Sequence, residues 1–373
     1  MQNTNPDNAR PSKYMPSKLM VVGTRVGAFL MVGMLTAIGV GDALAKPNPR
    51  KLKPQSIKIE YSPLVGFDKV RSDVTHFGEL EWIGGGVLTS KSKYFGGWSG
   101  LTISNGGQSF VAISDAGLWL TAKLNYRDGR PDAVTSARIG PLKALNGKSL
   151  RRNRYRDAEA VTLASGTLQR GQLMIAFEQL HRIGIFPIGP KGVLAPKRYV
   201  KLPKKIRNSV RGMKGFEAIT KLKGRHRGAL LAIAERLPDR NGNLRGWLWH
   251  SGKPRSFKLK NIDGYDITDV AALEDGGVIL LERRFRWLEG LKVRLRYVSA
   301  KALRPDTLIA GKVLMAANLT KEIDNLEGLA VHKGPNGGTI LTLLSDDNFN
   351  SLLQRTLLLQ FLWQRPSDKA VRN

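Results

Sequence analysis

Apolar positions in this chain come in short runs cut by polar turns, and the same layout returns along the sequence. In Asp157–Arg182 an acid opens a run, Glu159-Ala-Val-Thr-Leu163, a polar turn follows, and Leu173-Met-Ile-Ala-Phe177 leads to Glu178 and basic residues. The pattern recurs at Phe216-Glu217 with Ala229–Ala234 and Glu235-Arg236, and at Thr268-Asp269 with Val278–Leu281 and Glu282-Arg283-Arg284. It recurs again at Leu326-Glu327 with Thr339–Leu344 and Ser345-Asp346. An earlier copy, Ser99–Ile103 with Phe110–Ile113 and Ser114-Asp115, has serine where the others have an acid. Short β-rich runs bounded by Gly, Asn, Asp and Pro predict hairpins, whereas a helical solenoid would place apolar residues every three or four positions.

The leading residues 99, 159, 217, 269 and 327 are 60, 58, 52 and 58 residues apart. A period of this length accommodates a four-stranded sheet with a long loop, so the expected fold is all-β, a β-propeller. Dividing residues 46–373 by the mean step of about 57 suggests six blades, with five or seven also compatible. Closure is expected from pairing of the chain ends, with Thr356–Trp363 beside Ser56–Tyr61 and Phe77–Leu88.

Residues 1–45 stand apart. Arg10, Lys13, Lys18 and Arg25 precede an apolar run over Val26–Val40, and Ala43-Leu44-Ala45 offers a small-residue cleavage site before Lys46. This reads as a signal peptide, with a retained membrane anchor as the alternative, and it makes residues 46–373 a single exported domain, periplasmic or secreted. Cysteine is absent, so neither disulfides nor thiolates take part. Charge is the largest compositional anomaly: 60 basic against 30 acidic residues, net +30. Such a field attracts polyanions without choosing among them. No nucleic-acid-binding motif is legible, and export argues against nucleic acid as a physiological partner. An anionic small molecule such as a phosphoester, or an anionic envelope surface, fits better, bound by a monomer.

Against that background the acids are informative. Equivalent positions on innermost propeller strands form a ring round the channel. Glu159, Glu217, Asp269 and Glu327, with Asp115 and Asp346 after the following strands, are therefore candidate ligands of a cation, and an all-oxygen set suits Ca²⁺. Ion pairs with arginine would explain the same acids without any metal. As candidate chemistry, Glu178 or Glu282 would orient water, His181 would protonate a leaving oxygen, and Arg182, Arg283 and Arg284 would neutralise developing charge. Other chemistries fit poorly: Gly97-Trp98-Ser99-Gly100 is one residue short of a nucleophile elbow, and no pair among the histidines has zinc-hydrolase spacing. Trp247 and Trp249 share one side of an expected strand, more in keeping with packing than with a ligand platform.

The ordered motifs Gly97-Trp98-Ser99-Gly100-Leu101, Ser114-Asp115-Ala116-Gly117, Arg156–Ala160, Phe177-Glu178 with His181-Arg182, Phe216–Ile219, Asp269-Val270, Leu281-Glu282-Arg283 and Asn325–Gly328 resemble the phytase-like family with esterase-like activity. The resemblance extends over roughly residues 75–363. It implies an exported propeller hydrolysing phosphate or carboxylate esters. The competing class is a non-enzymatic propeller that binds an anionic envelope component or a protein.

Overall fold

A computed structural model describes residues 46–210 and 215–365. The leader expected over residues 1–45 lies outside the described residues.

Strand pairing produces five sheets, and they follow one another along the chain as five blades. The innermost strands are Trp98–Ile103, Ala158–Gly166, Phe216–Lys221, Asp266–Ala272 and Leu326–Lys333. Each packs on the innermost strand of the next blade, and the fifth packs on the first, so the ring closes. Five is one of the counts left open by the sequence; the sixth unit suggested by the mean step is absent because the residues before 98 enter blades 5 and 1. Strand Leu80–Thr89 pairs with the C-terminal strand Thr356–Trp363, and Glu60–Pro63 pairs beyond it in blade 5. Gln55–Ser56 instead adds an edge to blade 1 against Ile139 and Arg138.

The buried apolar residues fall into five clusters, one between each pair of neighbouring blades. Strand Leu230–Ala234 shows how the sequence builds them. Leu231 and Ile233 face blade 4, while Leu230, Ala232 and Ala234 face blade 2. Successive side chains of a strand point to opposite faces, and in a propeller both faces are covered, so the strand reads as an unbroken apolar run. Trp247 and Trp249 lie edge-on to Phe216 in the interface between blades 2 and 3, which makes them packing residues. Among the described residues no helix is long and apolar enough to cross a membrane.

Candidate functional site

One local feature recurs at the start of every innermost strand. The ladder to the second strand slips by one residue, leaving Ser99, Glu159, Glu217, Thr268 and Glu327 as the extra residue of a β-bulge. A bulge re-aims the side chain it carries, and here it marks the position equivalent from blade to blade. The second strand ends with its own equivalent set: Asp115, Glu178, Glu235, Arg283 and Asp346. For the four acids the backbone N–H donates to the carbonyl two residues before the bulge, that of Gly97, Asp157, Gly215 or Asn325. Arg283 is likewise paired with Asp266.

This register corrects blade 4. The sequence places Asp269 and Glu282 in the two sets, but the positions belong to Thr268 and Arg283, one residue away in each strand. A one-residue slip on a strand exchanges its faces. Asp269 is buried, and its oxygens accept from the N–H groups of Val270, at 2.7 Å, and Leu329, also at 2.7 Å. Burial raises its pKa well above the usual carboxylate range, opposed by those two donors. Glu282 is 1% exposed and sits between two arginines, 2.6 Å from Arg294 Nε and bonded to Arg296. Both acids serve the interior of the fold. Arg284 pairs with Glu289 and the Asp263 carbonyl, above the Tyr265 ring, away from the acids of the mouth. Arg182 stacks 3.8 Å from the Phe177 ring centroid and donates to the Leu180 and Tyr155 carbonyls. The His181 ring nitrogens have no hydrogen-bond partner among the described residues, and burial lowers its pKa.

The remaining candidates converge. Asp115, Glu159, Glu178, Glu217, Glu327 and Asp346 meet at the end of the channel where the innermost strands begin, joined by Asp157 and Glu235. One oxygen each from Asp157, Glu159 and Glu178 lies within 4.8 Å of the others. Gly215 is required beside them: a Cβ there would stand 2.4 Å from Glu178 Cγ. Gly97, at φ +67, serves the rim in the same way, since a Cβ would stand 2.8 Å from an Asp115 oxygen.

Crowding and burial shift the pKa values of these acids. Burial, then Glu217 and Asp157, push Glu159 well above the usual range; burial, then Glu235 and Glu178, do the same to Glu217. Burial followed by Glu327 and Asp115 raises Asp346 well above its ordinary value. Glu178 is raised by burial and Asp157, and it shares a hydrogen bond with Glu217, which requires a proton on one of the two carboxyls. Burial carries Glu235 up to about 7 against the pull of Arg236 and Arg283. Burial likewise carries Asp115 up to about 6 against Lys46, whose Nζ lies 2.6 Å away. Burial alone would lower Arg283, but Glu327 at 2.6 Å, with Glu235 and Glu217, holds it above its usual value. Arg236 reaches 2.8 Å from Asp266 and 3.6 Å from Glu235.

Asp157 and Lys46 are the members that sequence reasoning missed, and Glu235, present in the repeat, was given no role there. Asp157, two residues before the bulge acid in Asp157-Ala-Glu159, was visible as a motif but had no repeat equivalent to give it a place. Lys46 carries no sequence signal at all. For blade 4 a signal existed: a larger apolar residue precedes the bulge in Trp98-Ser99, Phe216-Glu217, Ile267-Thr268 and Leu326-Glu327.

No curated protein matches the sequence. Among solved structures the chain is similar to a tail fibre of Staphylococcus aureus phage P68, at 11% identity and TM-score 0.40 over 79% of this chain. It spans 54%, about half, of that fibre. A hypothetical protein from Leishmania major matches at 8% identity and TM-score 0.41, over 72% of this chain and 86% of the other. The WD40 domain of Toxoplasma gondii coronin matches at 8% identity and TM-score 0.40, over 88% and 90%. Likenesses this distant carry no weight, and the propeller rests on the strand pairing itself. A family profile does match, over residues 93–349, from the loop before blade 1 to the acid-bearing turn of blade 5. On that match this five-bladed propeller belongs to the phytase-like family, described by the esterase-like activity of phytase.

Proposed function

We propose that the protein is an ester hydrolase whose channel mouth holds a divalent cation, Ca²⁺ by its donor chemistry, and cleaves phosphoesters or related esters. The observation that carries this reading is the convergence of carboxylates from blades 1, 2, 3 and 5 on one opening, with Arg283 of blade 4 among them. Carboxylates so crowded and buried do not all ionise near neutral pH without a compensating positive charge. Lys46, Arg236 and Arg283 compensate in part. Asp157, Glu159 and Glu178 fit the remaining need, since they offer three oxygens close together to a cation that prefers oxygen. Held by Asp157, Glu159 and Glu178, the cation would supply Lewis-acid polarisation of the ester.

The chain's own residues supply the rest. Glu217 keeps a proton on the bond it shares with Glu178, so ligand and neighbour do not repel. Glu235, raised to about 7, is suited to give a proton to the leaving oxygen and takes the role first assigned to His181. Arg283 neutralises charge on the substrate. Glu282 and Arg284 hold blade 4 together rather than meet substrate. Export rests on the leader at residues 1–45, and the ligand class on the mouth.

The test is turnover of phosphomonoesters, phytate and short acyl esters by purified protein, with Ca²⁺ and with chelator, beside Glu178→Gln and Glu235→Gln. Glu178→Gln should weaken cation binding measured by calorimetry. Glu235→Gln should leave that binding intact and lower kcat by about 10²–10⁴-fold. Turnover indifferent to chelator and to both substitutions would end the proposal. Tight binding of anions with no turnover would favour the binding module instead.

A further inference from the structure

The loops around the acidic mouth carry exposed apolar tips on blades 4 and 5. The hairpin joining strands Val278–Arg286 and Gly290–Val298 ends in Trp287 and Leu288, 71% and 94% exposed. It rises on the mouth side, because its strands run outward past the Ile267–Glu282 pair beside the blade 4 bulge. The turn between Thr339–Ser345 and Thr356–Trp363, also at the mouth, exposes Leu352 by 78% and Leu353 by 63%.

The residues flanking these tips bring them near one another. A Cβ on Gly290 would stand 3.0 Å from Leu319 Cδ1, and Leu319 is itself exposed. Lys69 Nζ donates to the Leu319 carbonyl at 3.1 Å and brings the exposed Val70 alongside. From the same segment Glu322 pairs with Arg355 at 2.9 Å, next to the Leu352–Leu353 turn. Cations are interleaved throughout. Glu289 at the hairpin tip is held by Arg284, Arg286 and Lys292, and Lys69 meets only a backbone carbonyl among the described residues.

We infer that this ridge docks the propeller onto an anionic lipid bilayer. Separate protruding tips suit a plane, which can take all of them at once. Trp and Leu side chains beside Arg and Lys match the boundary between acyl chains and anionic headgroups. The strongly basic balance, 60 basic against 30 acidic residues in the whole chain and still basic without the leader, favours the approach. Docking by the ridge requires neither catalysis nor a bound metal, so it stands or falls separately from the hydrolase reading.

Trp287 provides the reporter, because the six other tryptophans are each no more than 4% exposed. The chain from Lys46 onward, as cleavage of the leader leaves it, is titrated with vesicles of phosphatidylcholine alone or mixed with phosphatidylglycerol, with and without brominated acyl chains. Anionic vesicles should shift Trp287 emission to shorter wavelength, and bromines should quench it. Trp287→Phe should abolish the optical change but keep sedimentation with vesicles. Leu288→Ser combined with Leu352→Ser should weaken binding roughly tenfold, while Leu194→Ser, in blade 2 at the other end of its strands, should not. Sedimentation without quenching would assign the contact to another part of the chain and overturn the inference. Equal binding to neutral vesicles would overturn it too. So would loss of a dimer in the ridge variant with no vesicle binding by the parent chain, since the ridge would then face a second copy.

Discussion

At the scale of single residues, the informative contrast is between two glutamates that look alike in sequence. Glu235 and Glu282 both end an apolar strand and precede arginine, yet one opens on the channel and the other lies between Arg294 and Arg296. Glu282→Gln should therefore cost about 3–5 kcal/mol of stability by leaving buried arginines without their counter-charge, seen as a lower Tm with cation affinity unchanged. Glu235 acts through its proton. With its pKa raised to about 7, the protonated acid is lost as pH rises through that value, so kcat should fall on the alkaline side. Glu235→Gln should remove that limb of the pH profile. A profile unchanged by the substitution would dismiss Glu235 as the proton donor.

At the scale of elements, the bulge at the start of each innermost strand decides which side chains reach the axis. Its existence is not written in the hydrophobic pattern, because these strands are buried on both faces and alternation is lost. The leading acid was therefore the marker followed, and in blade 4 it marked the wrong residue, where the larger apolar Ile267 points to Thr268. Asp269 lies one place beyond the bulge, where its carboxylate accepts the Leu329 N–H and ties blade 4 to blade 5. Asp269→Ala would orphan that donor and should cost about 1–3 kcal/mol, measured by denaturant unfolding, without weakening cation binding. A loss of cation affinity in this variant, with the fold intact, would return Asp269 to the site.

At the scale of the whole molecule, the mouth couples stability to pH and to metal. Asp115 and Glu235 have folded pKa values raised to about 6 and about 7, and burial also raises Glu159, Glu217 and Asp346 well above their ordinary range. Unfolded carboxyls titrate near about 4. Between those limits the folded chain binds more protons than the unfolded one, so stability should fall as pH rises from about 4 through 7. A cation binds the ionised carboxylates and should reverse this at neutral pH. At a hundredfold excess over Kd the gain is about 2.7 kcal/mol, or a rise in Tm of about 5 °C for a chain of this size. Thermal melts of chelated and Ca²⁺-loaded protein at acid and neutral pH would check it, and a flat response to both variables would count against a cation at the mouth.

The repeat, the all-β propeller, the terminal strand that closes it and most of the acids at the mouth were determined by the sequence alone. Each depends on local chemistry: strand propensity, turn residues, and a carboxylate beside an apolar run. Three things were decided only in three dimensions. The blade count fell to five because strand Leu80–Thr89 completes blade 5 instead of founding another. The ring exchanged Asp269 and Glu282 for Thr268 and Arg283 because register depends on the partner strand. Asp157 and Lys46 joined the mouth because a closed ring brings together residues whose separation along the chain says nothing about their distance in space.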